Sequence, residues 1–488
     1  MRRTNSLAAH SRHDWQKACL CEWLAASCAF YNEINYRRRQ AYFEREDWRE
    51  AETDQLYDEY APVLGTGTAQ QLVGKNAEMW KSFEELDADP VEDPCPPGYW
   101  GNREDGYPLR SVVRNDLYEI NWDADRSTIE IPVGKALNEK YDIPGRGHRV
   151  TLELRGTPRW KGEQGRLDIS YDELADCFRV NQPVTVQPEL HESLRRADLT
   201  HTLPQENTET TDEQVAAIDL GANNTLTVIT EDGDVAIFRA RAQFRAFADG
   251  LEGIAEMQSR LPDWRYTSAR IRRAYRTVYA RRDHHRDACV KRAAEWLVDR
   301  GVTRVFVGDL SDVLDTHWSA TVNQKTHNFW SHGQLTDRLE QTFELFGIEL
   351  DEVPEAHTSS QCPHCEEDLV VRHGDTLICL LCGLEAHADI VGASLILSDN
   401  RNIDVSDWFE PISDGWPMAR PAPRDPGRAR DEHRYSVTYF QWDDHEWTPI
   451  STEETGTLGS SDQRSVSKPA SSAGAMAGCV AHDGISLL

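Results

Sequence analysis

The chain has 488 residues, room for about three domains at roughly 150 residues each. Apolar residues make up 39 %, enough for a sizeable core, and no run of 18 apolar residues occurs, so no membrane-spanning helix is expected. Asp and Glu number 83 against 53 Lys and Arg, a net charge of −30, and only 9 of the basic residues are Lys. An acid excess with Arg kept and Lys nearly absent reads as a halophilic protein of a cytoplasm at molar salt, where carboxylates hold hydration and charge keeps the chain soluble. At ~1 M salt the Debye length is only ~3 Å, so this charge does not exclude a nucleic-acid partner. Close Arg contacts and stacking would then carry the binding, because counterion release contributes little.

In chain order, MRRTNSLAAHSRHDW has no apolar stretch after its basic residues, so no secretory leader is expected. Trp15, Leu20, Trp23, Leu24, Phe30, Tyr31 and Ile34 supply the apolar face of a helix, and a second helix is predicted over 68–83. DADPVEDPCPPGY reads as a linker, giving a helical region over 1–95. Five strand-like runs follow, SVVRNDLYEINW, STIEIPV, HRVTLELRG, RLDISYDE and DCFRVNQPVTV, so 96–210 reads as a β-rich, barrel-like domain, a small β-barrel or a sandwich. QVAAIDL, TLTVIT and DVAIFRA form a three-stranded meander. Helical sequence covers 243–299, then come the strand TRVFV, an amphipathic helix over 328–346 stopped by Gly347, the strand IELDEV and a short helix over 388–397. Residues 400–488 are acidic and rich in Pro, Ser and Gly. They read as a mostly disordered, dispensable tail.

Of eleven cysteines, seven are scattered and four form two CxxC knuckles, Cys362, Cys365, Cys379 and Cys382. That spacing suits four thiolates around one structural zinc with no open position. Asp219 ends a predicted strand just before Gly221, and Asp389 opens a predicted helix. A strand-end carboxylate suits a divalent metal facing a phosphodiester, although each residue alone also suits a turn or a helix cap. Residues 260–300 carry twelve Arg or Lys against five acids, with Tyr266, Tyr275 and Tyr279 interleaved. Arg265, Arg270, Arg272, Arg273, Arg276, Arg281 and Arg282 are the candidate nucleic-acid contacts.

Four segments in this order, Ala29-Phe30-Tyr31-Asn32-Glu33, AIDLGANNTLTV (217–228), residues 327–365 and HADIVGASLIL (387–397), resemble the OrfB/TnpB family of insertion-sequence proteins, the RNA-guided nucleases related to type V CRISPR effectors. The resemblance implies a multidomain α+β chain. An α/β RNase H-like (RuvC-like) nuclease domain would cover 211–357, a four-Cys zinc ribbon 358–386 would be inserted, and a closing helix would span 387–399. It also implies DNA and an element-derived guide RNA as partners, no membrane, and two-metal Mg²⁺ hydrolysis held by an Asp, a Glu and an Asp. Asp219 and Asp389 match the first and third acids. The second acid is missing: Val305-Phe306-Val307-Gly308-Asp309-Leu310 has Gly308 where the Glu belongs. One residue along a regular strand is the opposite face, so a bulge at Gly308 would have to re-aim Asp309, or Asp312 or Asp315 would have to fold back. Asp309 is the expected third ligand. The alternative is a guided but nuclease-silent DNA-binding regulator.

Overall fold

The computed structural model describes residues 2–88, 94–101, 108–123, 126–144, 147–186, 214–221, 223–261, 268–309, 329, 331–354, 361–409, 435–443 and 445–450. They divide into two compact units, the first holding residues 2–186 and 258–273, the second 214–257 and 274–450.

The first unit merges the helical region and the β-rich region that the sequence separates. Its strands are β1 (Arg2–His10), β2 (Arg110–Val113), β3 (Glu119–Asn121), β4 (Thr128–Pro132), β5 (Arg149–Arg155), β6 (Glu163–Gln164), β7 (Leu167–Asp172) and β8 (Cys177–Thr185). They run in the order β2-β7-β8-β1-β5-β4-β3, with β6 on β8, all antiparallel. Among the described residues the two end strands do not pair, so the strand order is open. The centre of this sheet is β1, which the sequence does not announce: only Asn5, Leu7 and Ala9 alternate inward, a pattern too polar to read as a strand.

Helix α1 (Asp14–Phe43) lays Leu20, Trp23, Leu24, Phe30, Tyr31 and Ile34 against Val112, Ile129, Val150, Leu152, Ile169 and Val180 of the sheet. Helices α2 (Asp54–Leu64), α3 (Thr66–Asp87) and α4 (Lys135–Tyr141) complete this unit, and the Trp23 indole N–H donates to the Leu64 carbonyl at 3.1 Å.

The second unit is built on β9 (Gln214–Asp219), β10 (Asn224–Thr230), β11 (Asp234–Arg239), β12 (Val302–Asp309) and β13 (Glu349–Pro354). The meander is antiparallel as its turn residues predict, and β12 and β13 run parallel to β9. Parallel strands need crossovers, which α5 (Arg241–Ser259) with α6 (Ala269–Val298), and α7 (His332–Phe346), supply. One face of the sheet (Ala216, Ile218, Val305, Val307) packs on Val290, Ala294 and Leu297 of α6 and on Leu335, Leu339 and Phe343 of α7. The other face (Val215, Ala217, Phe306) packs on α8 (Ala388–Arg401), whose residues 388–397 are all buried.

The expectation for 400–488 needs correction. Phe409 is fully buried beside Trp408 and Tyr435, and β17 (Ser436–Asp443) with β18 (Glu446–Ile450) extends the sheet to the order β13-β12-β9-β10-β11-β17-β18. Three short strands, β14 (Val370–His373), β15 (Thr376–Cys379) and β16 (Glu385–His387), form the cysteine-bearing ribbon. No described helix is long and apolar enough to cross a membrane.

Candidate functional site

Asp219 is the last residue of β9, on the face it shares with Val215 and Ala217, which is the face that α8 covers. Its carboxylate lies against the helix backbone: a β-carbon on Gly392 would stand 3.2 Å from Asp219 Cγ. Asp389 sits in the first turn of α8, where the free N–H groups favour a carboxylate, and is 2 % exposed. A β-carbon on Gly221, two residues after Asp219, would stand 3.0 Å from Asp389 Oδ2. The two acids therefore converge at one end of the sheet, and Gly221 and Gly392 keep the space between them open.

Asp389 has two partners that the sequence gives no reason to select. Asn224 Nδ2 donates to its Oδ2 at 2.7 Å, and Arg372 on β14 donates to its Oδ1 at 2.6 Å. Asn224 sits in the turn residues GANN and reads as turn chemistry. Arg372 is one Arg in a ribbon hairpin, and only the fold brings it to the acid. The hairpin is pinned there by Asp375, whose carboxylate accepts from Asn223 (2.8 Å) and Arg241 (2.5 Å) and whose carbonyl accepts from the Ala388 N–H (2.8 Å). Burial pushes the Asp375 carboxyl up, but Asn223 and Arg241 together leave it below the usual carboxylate range.

The position facing Asp219 on β12 holds no carboxylate. Val307 pairs with Ile218, so the next residue, Gly308, stands beside Asp219. The ladder to β13 continues regularly through Gly308 and Asp309, and the only irregularity of β12 lies at its other end, between Val302 and Arg304. No bulge re-aims Asp309. Strand alternation puts it with Val305 and Val307, on the face away from Asp389. Burial, and then the Asp309 charge, hold the Glu352 carboxyl above its ordinary value on that face. The expectation that Asp309 joins Asp219 and Asp389 is corrected accordingly. Asp312 and Asp315 lie outside the described residues.

The four ribbon cysteines meet: their Sγ atoms all lie within 4.8 Å of one another, with Cys362–Cys382 at 3.7 Å and Cys365–Cys379 at 3.6 Å. A tetrahedron with Zn–S bonds of about 2.3 Å has edges of about 3.8 Å, so the cluster fits zinc. Burial raises the Cys379 thiol, but the backbone N–H groups of Cys382 and Leu381, together with the Cys382 and Cys365 side chains, leave it below the ordinary thiol value, whereas burial holds Cys362 and Cys382 above theirs. Such donors favour a thiolate ligand. The nearby His364 ring instead contacts the Ser406 carbonyl at 3.3 Å. The Asp219–Asp389 pair offers hard oxygen donors that fit one divalent cation; for a pair of ions the described residues supply no third acid.

Of the candidate nucleic-acid contacts, Arg265 lies outside the described residues. Arg282 is buried, paired with Asp283 at 2.7 Å and donating to Ser331 at 3.3 Å, so it braces the fold and is withdrawn as a contact. Arg272 pairs with Glu173 at 3.3 Å. Arg270, Arg273, Arg276 and Arg281 are exposed on α6, and Arg270 and Arg281 stand three turns apart on one side.

Comparison with known proteins agrees with this organisation. Residues 182–314 match the family OrfB_IS605, described as "Probable transposase", and residues 332–396 match the Cas12f1-like TNB domain. The TnpB-like protein ORF457 of Acidianus two-tailed virus is 26 % identical over 424 residues, covering 79 % of this chain and 84 % of that protein. The protein chain in the cryo-EM structure of a Cas12f1-sgRNA-target DNA complex superposes with a TM-score of 0.51 at 11 % identity, over 82 % of this chain and 99 % of that one, a likeness of fold. The resemblance read from the residues therefore holds at the level of sequence and fold: residues 182–314 are similar to the OrfB_IS605 family and residues 332–396 to the Cas12f1-like TNB domain.

Proposed function

We propose that the chain is a transposon-associated, RNA-guided DNA endonuclease of the OrfB/TnpB type, with a RuvC-like nuclease domain, working in a salt-rich cytoplasm. The observation that carries the reading is the convergence of Asp219 and Asp389, from two separate elements, on one glycine-lined space beside Arg372. Asp219 and Asp389 would hold the divalent cation, which supplies Lewis-acid activation of water and of the scissile phosphate. Asn224 orients Asp389 through its amide. The Arg372 guanidinium, 46 % exposed, presents positive charge to the space where a phosphate would lie. Zinc on the four cysteines would hold the hairpin that carries Arg372. The exposed arginines of α6 would follow the backbone of a guide–target duplex.

A second reading, guided binding without cleavage, is favoured by one observation: Gly308 stands where the face of Asp219 calls for a third acid. The experiment that separates the two purifies the chain with the RNA that accompanies it and supplies matched duplex DNA and Mg²⁺ at molar KCl. Cutting that Asp219→Ala and Asp389→Ala each abolish supports the nuclease. Target binding without any cutting supports the silent regulator. A chain that carries no RNA and binds no target refutes both.

A further inference from the structure

On α1, Tyr36 and Phe43 lie two turns apart on one side of the helix, and both are more than half exposed, at 55 % and 61 %. Arg39 stands between them. Its Cζ lies 5.5 Å from the Phe43 ring centroid and 5.6 Å from that of Tyr99, which is itself 45 % exposed.

These groups are held in place. Arg39 donates to the carbonyls of Pro96 and Pro97 at 3.0 Å. Asn35 donates to the carbonyls of Pro97 and Gly98 at 2.7 and 3.0 Å. Asn32 takes the Trp100 N–H and gives to its carbonyl at 2.7 and 2.8 Å, and the Trp100 ring stacks on Tyr31 at 3.8 Å. Residues 96–100 are thereby strapped along α1, and the strap displays the Tyr99 ring at the surface.

Folding does not require these rings to be outside, since the same helix buries Phe30, Tyr31 and Ile34 on its other side. Among the described residues α1 exposes no other large apolar side chain. The neighbouring acid Glu33 is engaged by the Tyr60 hydroxyl at 2.7 Å.

The geometry points to a stacking site for unpaired nucleobases on the Tyr36–Arg39–Phe43–Tyr99 surface. Flat rings accept the faces of bases in any sequence, and the Arg39 charge meets the phosphate that follows a stacked base. At molar salt this mode is the one that survives, because stacking does not depend on counterion release whereas phosphate contacts weaken. The inference rests on the nucleic-acid reading above and adds a named subsite to it.

The test uses the full chain at molar KCl with three labelled probes, an oligothymidylate, an oligouridylate and an abasic strand of equal length. The unmodified chain should bind the base-bearing strands more tightly than the abasic one. Combining Tyr36→Ala, Phe43→Ala and Tyr99→Ala should weaken base-bearing strands by about 10- to 100-fold, toward the abasic level, with abasic binding and the melting temperature unchanged. Tyr36→Phe alone should bind as the unmodified chain does. A larger loss with uridylate than with thymidylate assigns the site to RNA, the reverse to single-stranded DNA. If the triple variant binds like the unmodified chain, or loses abasic binding equally, the subsite is refuted while the function stands. If the unmodified chain binds none of the strands and carries no RNA, the function fails as well.

Discussion

Removing the Trp447 side chain should loosen the edge of the second unit's sheet, although this residue lies beyond the segments that match known families. Trp447 is 3 % exposed, packs on Phe238 at 5.7 Å and Trp442 at 5.9 Å, and donates its indole N–H to the His285 carbonyl at 3.1 Å. Phe238 of β11 stacks in turn on Phe440 of β17 at 4.7 Å, so the hairpin β17–β18 completes the cover over β11. Truncating a buried Trp to Ala costs about 3–5 kcal/mol, and the indole bond accounts for about 1 of these. An edge hairpin relaxes more than a central strand, which places Trp447→Ala near the lower end, at about 3 kcal/mol. Because the chain has two units, one global midpoint would blur this, and hydrogen exchange is the better measure. Amides of β11 and β17 should exchange about 100-fold faster in Trp447→Ala at molar KCl, since ~1.4 kcal/mol is a factor of ten. Strands β12 and β13 should change far less. Ending the chain after Phe409 should have at least the same effect. Protection of β11 within about threefold of the unmodified chain in both variants would refute the reasoning and restore the reading of a dispensable tail.

Four other expectations follow from the geometry. Elemental analysis after exhaustive Mg²⁺ exchange should find about one zinc per chain, and Cys362→Ser should lose it together with several kcal/mol of stability, because the metal's binding energy is folding energy. Asp309→Asn should leave any Mg²⁺-dependent cleavage within a few-fold, whereas Gly308→Glu, on the Asp219 face, should raise it at least tenfold in a single-turnover assay; the opposite pattern would mean that the end of β12 rotates on metal binding. Replacing Arg270, Arg273 and Arg281 with Gln should weaken guide or heteroduplex binding by about tenfold in a filter-binding titration, and unchanged binding would make α6 a solvated face. His285 of α6, beneath Trp442 at 4.5 Å, is pushed down to about 4 by burial and by His284 and Arg281. The unfolded chain then takes up this proton first, so its contribution to stability is full above about pH 6.5 and is lost as the pH falls toward 4. Unfolding followed from pH 7.5 to 5 should show that slope, and His285→Gln should flatten it.

How far the sequence could be read depends on what each signal rests on. The four-cysteine cluster was legible because two CxxC knuckles are local and need only one turn each to fold; the structure adds that their sulfurs lie within bonding range of one ion. Strands β9, β10 and β12 were legible because strands buried on both faces are near-continuous apolar runs whose identity does not depend on partners. Strand β1 was not, because its inward residues are Asn5, Leu7 and Ala9, and only pairing with β5 and β8 makes them a core. The C-terminal hairpin was not, because a long polar stretch separates it from the sheet it joins, and its tryptophans read as isolated apolar residues until β11 is beside them.

The site divides in the same way. Residue types and their order along the chain singled out Asp219 and Asp389, and the family resemblance marked Gly308 as the position without its acid. What the tertiary structure decided is which of these residues meet. Gly308, not Asp309, stands beside Asp219, because the parallel ladders on both sides of β12 hold its register to the end of the strand. Arg372 and Asn224 reach Asp389 from 17 and 165 residues away. Arg282, one more basic residue in a basic segment by sequence, is taken out of solvent by Asp283 and Ser331. Side-chain chemistry is written residue by residue, but distance and burial are properties of the packed chain, and at this site they determine which of the candidate charges can act together.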